Sequence, residues 1–168
     1  PDIYALRSFP AEAGLAFVRT HYLTGGWAAV DALHADPPLS SEQILHPERY
    51  PKDAPRSPEL DDLSPALGDG WTTTDSGVLG EWRTRLALRA YLEPDEAEKA
   101  AAGWGGDRYV ILAGPASGSA AWLLLSRWDT VRDAHEFFGS FRTYGEGRFG
   151  VPRRTSTSLV WELEAGVV

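Results

Sequence analysis

Residues 108–128, RYVILAGPASGSAAWLLLSRW, are the stretch that decides the fold. Arg108 to Ala113 and Ala120 to Trp128 are short apolar runs rich in residues that favour β-strands. Between them, GPASG at 114–118 has the composition of a turn. The pattern therefore predicts a β-hairpin with a five-residue connection.

The residues that follow the hairpin predict a helix and a last strand. Asp129 or Thr130 is a suitable N-cap for a helix from Val131 to Tyr144, which has an apolar face. The glycine-rich residues 145–150 then predict a flexible return, and Ser158 to Glu164 alternates as a strand does.

The residues before the hairpin predict helices separated by one long loop. Gly25-Gly26 divides the first helical stretch, whose apolar stripe is Leu15, Val18 and Tyr22. A short helix capped by Ser40 comes next, and the proline-rich stretch 46–77 reads as a long ordered loop. The predicted helices are Pro10–Leu33 with its interruption, a short one after Ser40, Val78–Leu92 and Asp95–Ala102.

Together these elements predict an α+β fold: N-terminal helices followed by a β-β-α-β unit, whose small, mostly antiparallel sheet packs on helices. We divide the chain into a helical segment with the long loop, residues 1–77, and an α/β unit, residues 78–168. The two parts are expected to form one compact domain.

Composition and charge exclude several classes of function. The net charge is -8 and the pI is about 4.9, which disfavours binding to nucleic acid phosphates. There is no cysteine, so disulfides, thiol nucleophiles and thiolate metal sites are excluded. No apolar run approaches the roughly 20 residues of a membrane span. The chain starts at Pro1 and has no methionine, so we expect a processed or truncated product.

No complete catalytic or metal-binding motif is present, so we predict no metal, no cofactor and no catalytic residue in this chain. His135-Glu136 begins an HE pair, but Gly139 stands where the second histidine of HExxH would be. Ser117 lies in a hairpin turn and not in a nucleophile elbow. The acidic cluster Glu59, Asp61 and Asp62 is interpreted as a solvated loop, with a weak calcium site as the alternative.

Two tryptophans beside glycines are candidates for a groove or a partner contact. Trp71 and Trp104 lie outside the predicted helices and strands, whereas most of the seven tryptophans are expected in the core. The segment GWGGD, Gly103 to Asp107, precedes a strand. A phosphate-binding loop has the reverse order, since it follows a strand and opens a helix. We therefore interpret GWGGD as the end of a helix that leads into a strand.

Four segments together resemble a known family. They are GLAFVRTHYLTGGWAAVDALHADPPLSSEQILHPERY (14–50), LGEWRTRLAL (79–88), AAAGWGGDRYVIL (100–112) and WLLLSRWDTVRDAHEFF (122–138). Their order and spacing are similar to the C-terminal half of bacterial, predicted extracytoplasmic proteins. Members of that family carry an HExxH zinc-peptidase-like segment upstream. The resemblance covers about residues 9 to 140.

The departure from the family is the missing HExxH, so none of the family's zinc ligands has a counterpart here. The resemblance therefore implies the non-catalytic region and an extracytoplasmic location. It also implies a protein partner or a parent peptidase-like domain. Within SSEQILHPERY, His46 lies where a short helix breaks and is expected to bond a freed carbonyl, with a binding role as the alternative.

Three hypotheses follow. The leading one is a non-catalytic accessory or substrate-positioning module, with a groove between the loop 46–77 and the GWGGD segment. The second is an interaction subunit of a larger extracytoplasmic or membrane complex, and the third is an enzyme with an unrecognised site near His46. The predicted binding residues are His46, Trp71, Trp104 and Asp107.

Overall fold

The computed structural model describes residues 3–155 and 158–161, and its fold class is α+β, as predicted. A π-helical turn, Pro10–Gly14, joins the first two helices. The helices are α1 Ile3–Phe9, α2 Leu15–Ala35, α3 Ser41–Leu45, α4 Ser64–Leu67, α5 Gly80–Leu88, α6 Pro94–Ala101 and α7 Val131–Phe149. The strands are β1 Thr72–Gly77, β2 Trp104–Ala113, β3 Ala120–Trp128, β4 Arg153–Arg154 and β5 Leu159–Val160.

The main sheet is antiparallel with the order β1-β2-β3. The predicted hairpin forms its centre and one edge, since Ala113 pairs with Ala120 and the ladder continues to Trp104 opposite Trp128. A bulge between Trp104 and Gly106 shifts the register at the far end of the hairpin. The hairpin prediction is confirmed, and β3 has the predicted bounds, but the connection, residues 114–119, is one residue longer than predicted.

Two strand boundaries differ from the prediction. β2 starts at Trp104 and not at Arg108, because the GWGGD residues pair with the end of β3. The loop predicted over 46–77 is shorter, since residues 72–77 form β1 along β2. TTTDSG has no apolar alternation because β1 is an exposed edge strand, so neither face of it marks the strand in the sequence.

The core lies where α5, α6 and α7 meet beside the sheet. Its buried residues are Leu88, Leu92, Ala97 and Ala100. The half-buried Phe137, Phe141 and Tyr144 of α7 pack against them. The small alanine side chains of α6 let this helix approach its neighbours closely, which explains an alanine-rich helix in the centre of the core.

Helix α7 is longer than predicted, and the last strand lies outside the main sheet. The glycines expected to end α7 continue it to Phe149, and Gly145 leaves room for the ring of Trp161. A Cβ at Gly145 would lie 2.4 Å from that ring, so packing explains this glycine. Of the predicted strand 158–164, Leu159–Val160 form β5 and pair with β4, while 162–164 lie outside the described residues.

The N-terminal helix α2 is bent at the predicted glycine pair. Gly26 has a φ of 64°, a left-handed conformation that favours glycine, and the helix resumes at Trp27. Among residues 3–155 and 158–161, no helix has both the length and the apolar character required to cross a membrane.

Candidate functional site

The short helix α3 and its flanks place polar side chains in the interior. Ser40 caps α3 by accepting a hydrogen bond from the Gln43 amide at 3.2 Å, as predicted. The Gln43 side chain is buried; it accepts from the Leu39 amide at 2.7 Å and donates to the Asp53 carbonyl at 2.8 Å. This buried side chain therefore ties both flanks of α3 together.

Arg49 is the centre of an ion network beside α3. Its Nη1 contacts Oε1 of the buried Glu42, and lies 3.3 Å from Asp129 Oδ2 and 3.9 Å from Asp53 Oδ2. The three acidic groups offer oxygens within 4.8 Å of one another, a spacing that suits a cation. Because Arg49 Nη1 is within 4.0 Å of all three, the network carries its own cation, and we interpret it as structural.

His46 pairs with a carboxylate from a distant part of the chain. Its Nε2 lies 2.9 Å from Oε1 of Glu81, a buried residue in the first turn of α5. The hydrogen bond with Glu81 raises the pKa of His46. The expectation that the ring bonds a freed carbonyl was wrong; the backbone amide of His46 makes such a bond, to the Glu42 carbonyl at 2.8 Å.

Two buried carboxylate oxygens in this region have no hydrogen-bond partner: Oε2 of Glu42 and Oε2 of Glu81. Burial raises the pKa of Glu42 to about 7, and the nearby Arg49 partly opposes that shift. A carboxyl that titrates near neutrality beside a histidine–carboxylate pair is able to exchange protons. No feature of the sequence pointed to Glu81, because its partner is 35 residues away.

Trp104 and Asp107, two of the predicted binding residues, form a buried pair. Each is 1% exposed, and Trp104 Nε1 donates to Asp107 Oδ2 at 2.8 Å. Asp107 also accepts from the amides of Leu79 at 2.6 Å and Gly80 at 2.8 Å. The carboxylate therefore satisfies free amides at the start of α5, which is a structural role.

The other predicted binding residue, Trp71, lies apart from these groups. It is half-buried, and its ring covers Gly114 at the turn between β2 and β3. Three of the predicted binding residues therefore meet at the start of α5. Asp107 and Trp104 lie there directly, and His46 reaches it through Glu81. Trp71 lies at the opposite end of the hairpin.

A cavity of about 490 Å³ lies between the long loop and the start of β2, where the groove was predicted. Pro55 and Ser57 line it from the loop, and Trp104 lines it from GWGGD. Phe9 and Trp82, stacked with their ring centres 4.9 Å apart, complete the wall. The first helix thus contributes to this cavity, which the sequence did not indicate.

The remaining candidates have ordinary surroundings. Ser117 is exposed in the hairpin turn, and His135 is exposed on α7. Asp62 Oδ1 accepts from the amide and hydroxyl of Ser64, and these bonds hold the pKa of Asp62 below its usual value. Part of the acidic loop therefore satisfies the amide of the first residue of α4.

Helix α2 packs through one face and exposes another. Phe17 is 3% exposed and packs its ring against His21 and Tyr50. The predicted stripe, Leu15, Val18 and Tyr22, is exposed in the structure. Leu23 and Trp27 are also exposed, so this helix presents an apolar surface to solvent.

Comparison with known proteins places the second part of the chain in a family. Residues 69–167 match the family model of DUF8575, a domain of unknown function. No curated protein and no solved structure matches the chain.

Proposed function

We propose that this chain, which belongs to the DUF8575 family, is a non-catalytic accessory module that docks onto a larger protein and helps to position that protein's substrate. The observation that carries the proposal is the exposed apolar stripe of α2, formed by Leu15, Val18 and Tyr22 and extended by Leu23 and Trp27.

Helix geometry separates the stripe from the face that α2 already uses. At about 100° per residue, Phe17 lies roughly 200° around the helix from Leu15, whereas Val18 and Tyr22 lie within about 60° of it. Phe17 packs on Tyr50, so the stripe and the packed face of α2 lie on different sides of the helix. A partner that covers it gains roughly 1.5–3 kcal/mol for each large side chain that is fully buried.

The extent of the family match supports the same proposal. The matched part begins at residue 69, and α1, α2 and α3 lie before it. These helices are joined to the matched part through polar contacts such as Arg49 with Asp129 and His46 with Glu81. The stacked rings of Phe9 and Trp82 add one aromatic contact between the two parts. An N-terminal segment that is anchored in this way and leaves its apolar stripe uncovered has the construction of an adaptor.

The partner we propose is a zinc-peptidase-like domain, as the resemblance of the sequence to bacterial zinc-peptidase-like proteins implies. An extracytoplasmic location is part of the same proposal. Tyr22 and Trp27 are the residue types that dominate protein interfaces, and they contact each other with ring centres 5.1 Å apart. The cavity between the long loop and GWGGD lies beside α1, since Phe9 lines it, so a docked domain is able to share it.

The test is binding between separately produced polypeptides. The domain encoded before Pro1 is mixed with increasing concentrations of this chain, and complex formation is measured by analytical ultracentrifugation. We expect a 1:1 complex, weakened at least tenfold by the double variant Leu15→Glu, Tyr22→Glu. Thr24→Glu is the matched control, because Thr24 is exposed on α2 about 180° around the helix from Leu15. This variant is expected to leave binding unchanged.

Three results would contradict the proposal. They are the absence of an upstream domain that binds, equal binding by the double variant, and hydrolysis of peptides by the chain alone that a chelator abolishes. Self-association of the chain at micromolar concentration, lost in the double variant, would assign the stripe to a second copy instead. Co-purification with a different extracytoplasmic or membrane complex through the same stripe would favour an interaction subunit.

A catalytic role for His46 is the second candidate, and the 2.9 Å contact between His46 and Glu81 favours it. It predicts turnover of some ester or amide by the chain alone, with a pH dependence that His46→Gln removes. Arg89→Gln, a change at the exposed residue that follows α5, is the control for folding. Unchanged turnover in His46→Gln would exclude this candidate.

A further inference from the structure

A second cavity lies between the sheet and the last long helix, away from α2. Its volume is about 540 Å³, within the range of small-molecule sites. Trp122 and Leu124 of β3 form one wall, Phe137 and Phe141 of α7 form another, and Leu86 of α5 forms the floor. The lining is predominantly aliphatic and aromatic.

The cavity exists because α7 approaches β3 at one end of the strand. Trp128 stacks on Phe137 with ring centres 4.4 Å apart and closes that end. Six residues earlier in β3, Trp122 has no such cover and is 55% exposed. Trp122, Leu124 and Trp128 are an even number of residues apart, so they share one face of the strand. The apolar face of β3 is therefore covered at one end and open at the other.

Two cations stand at the cavity. Arg83 of α5 and Arg148 of α7 both line it and are exposed. The guanidinium of Arg148 lies 5.2 Å from the centre of the Phe149 ring, which also lines the cavity. Within the described part of the chain, neither Arg83 nor Arg148 has a carboxylate oxygen within 4.0 Å. An apolar space with two unpaired guanidinium groups is complementary to an apolar chain that ends in an anion.

We propose that this cavity binds a monomeric amphipathic anion, with a linear alkyl chain among Trp122, Leu124 and Phe141 and a terminal carboxylate between Arg83 and Arg148. The binding is non-covalent. It is independent of docking through α2, because the cavity contains no residue of that helix.

The test is calorimetric titration of the whole chain with saturated alkyl carboxylates of eight, ten and twelve carbons, kept below their micelle concentrations. Affinity is expected to rise about fourfold for each added methylene group that is buried. The alkyl trimethylammonium of equal length is expected to bind at least tenfold more weakly. Arg83→Gln and Arg148→Gln are each expected to weaken carboxylate binding about tenfold and to leave the alkyl alcohol unaffected.

Two variants complete the test. Arg89→Gln is the matched control for charge, since Arg89 is an exposed arginine on the same stretch as Arg83 and does not line the cavity. Ala87→Trp is expected to fill the cavity and abolish binding of both carboxylate and alcohol, with the circular dichroism spectrum unchanged. Equal affinity for carboxylate and ammonium, no dependence on chain length, or binding to anionic vesicles without binding of monomers would overturn the proposal.

Discussion

The two ends of the chain treat their large apolar side chains in opposite ways. In the family-matched part, Leu88 is 2% exposed and packs in a cluster with Leu92 and Ala97. In α2, Leu15 is 66% exposed although it belongs to an equally regular apolar stripe. Periodicity therefore shows that a helix has an apolar face, but it does not show whether the same chain covers that face.

The contact between the two parts explains how an uncovered helix stays attached. Its anchors are the Arg49–Asp129 contact, the His46–Glu81 pair and the stacked rings of Phe9 and Trp82. Buried polar contacts of this kind contribute little net stability and demand exact partners. Such contacts are suited to holding a segment in one orientation. Substitutions in each part test how differently the two parts are stabilised.

The largest expected effect is the loss of the core leucine. Leu88→Ala removes a buried side chain and is expected to lower the free energy of unfolding by about 4 kcal/mol. Leu15→Ala, the same change on α2, is expected to cost under about 0.5 kcal/mol in the isolated chain. Chemical denaturation of both variants checks the pair, and similar losses would mean that α2 is covered in solution.

The next effect is a dependence on pH at Glu42. Burial raises the pKa of Glu42 from its ordinary value of 4.5 to about 7. Between these two pH values Glu42 is protonated in the folded state and ionised in the unfolded state. The contribution of Glu42 to the free energy of unfolding should therefore fall by roughly 3 kcal/mol as the pH rises from about 4 to 8.

Glu42→Gln isolates this contribution, because it removes the titrating group and keeps the shape of the side chain. The wild type should lose stability relative to this variant as the pH rises. A difference that is constant from pH 4 to 8 would show that the Arg49 contact keeps Glu42 ionised throughout.

The smallest of the three effects concerns Asp107. Asp107→Asn replaces one acceptor oxygen by a donor and leaves one of the buried groups at the start of α5 unsatisfied, at a cost of about 2 kcal/mol. Asp75→Asn is the matched control, because Asp75 accepts hydrogen bonds at an exposed position and should change stability by less than about 0.5 kcal/mol. Thermal unfolding followed by tryptophan fluorescence compares the two variants.

Much of the architecture was predictable from local patterns. The hairpin of β2 and β3, the caps at Ser40 and Thr130, and the break at Gly26 follow from turn chemistry, capping and glycine geometry. β1 and the end of α7 were missed, because an exposed edge strand needs no apolar alternation and glycines at a tight helix contact look like a helix stop. Of the predicted binding residues, His46 has an unforeseen carboxylate partner, and Trp104 and Asp107 have structural roles.

What the sequence by itself determined is the α+β class, the order of most elements and the lack of a complete HExxH zinc motif, since each depends on residues that are neighbours along the chain. Only the tertiary structure decided which groups meet. It joined His46 to Glu81 and Arg49 to Asp129. It also left α2 uncovered and opened the cavity between β3 and α7. The two polar pairs join residues that are 35 and 80 positions apart, which no local pattern encodes.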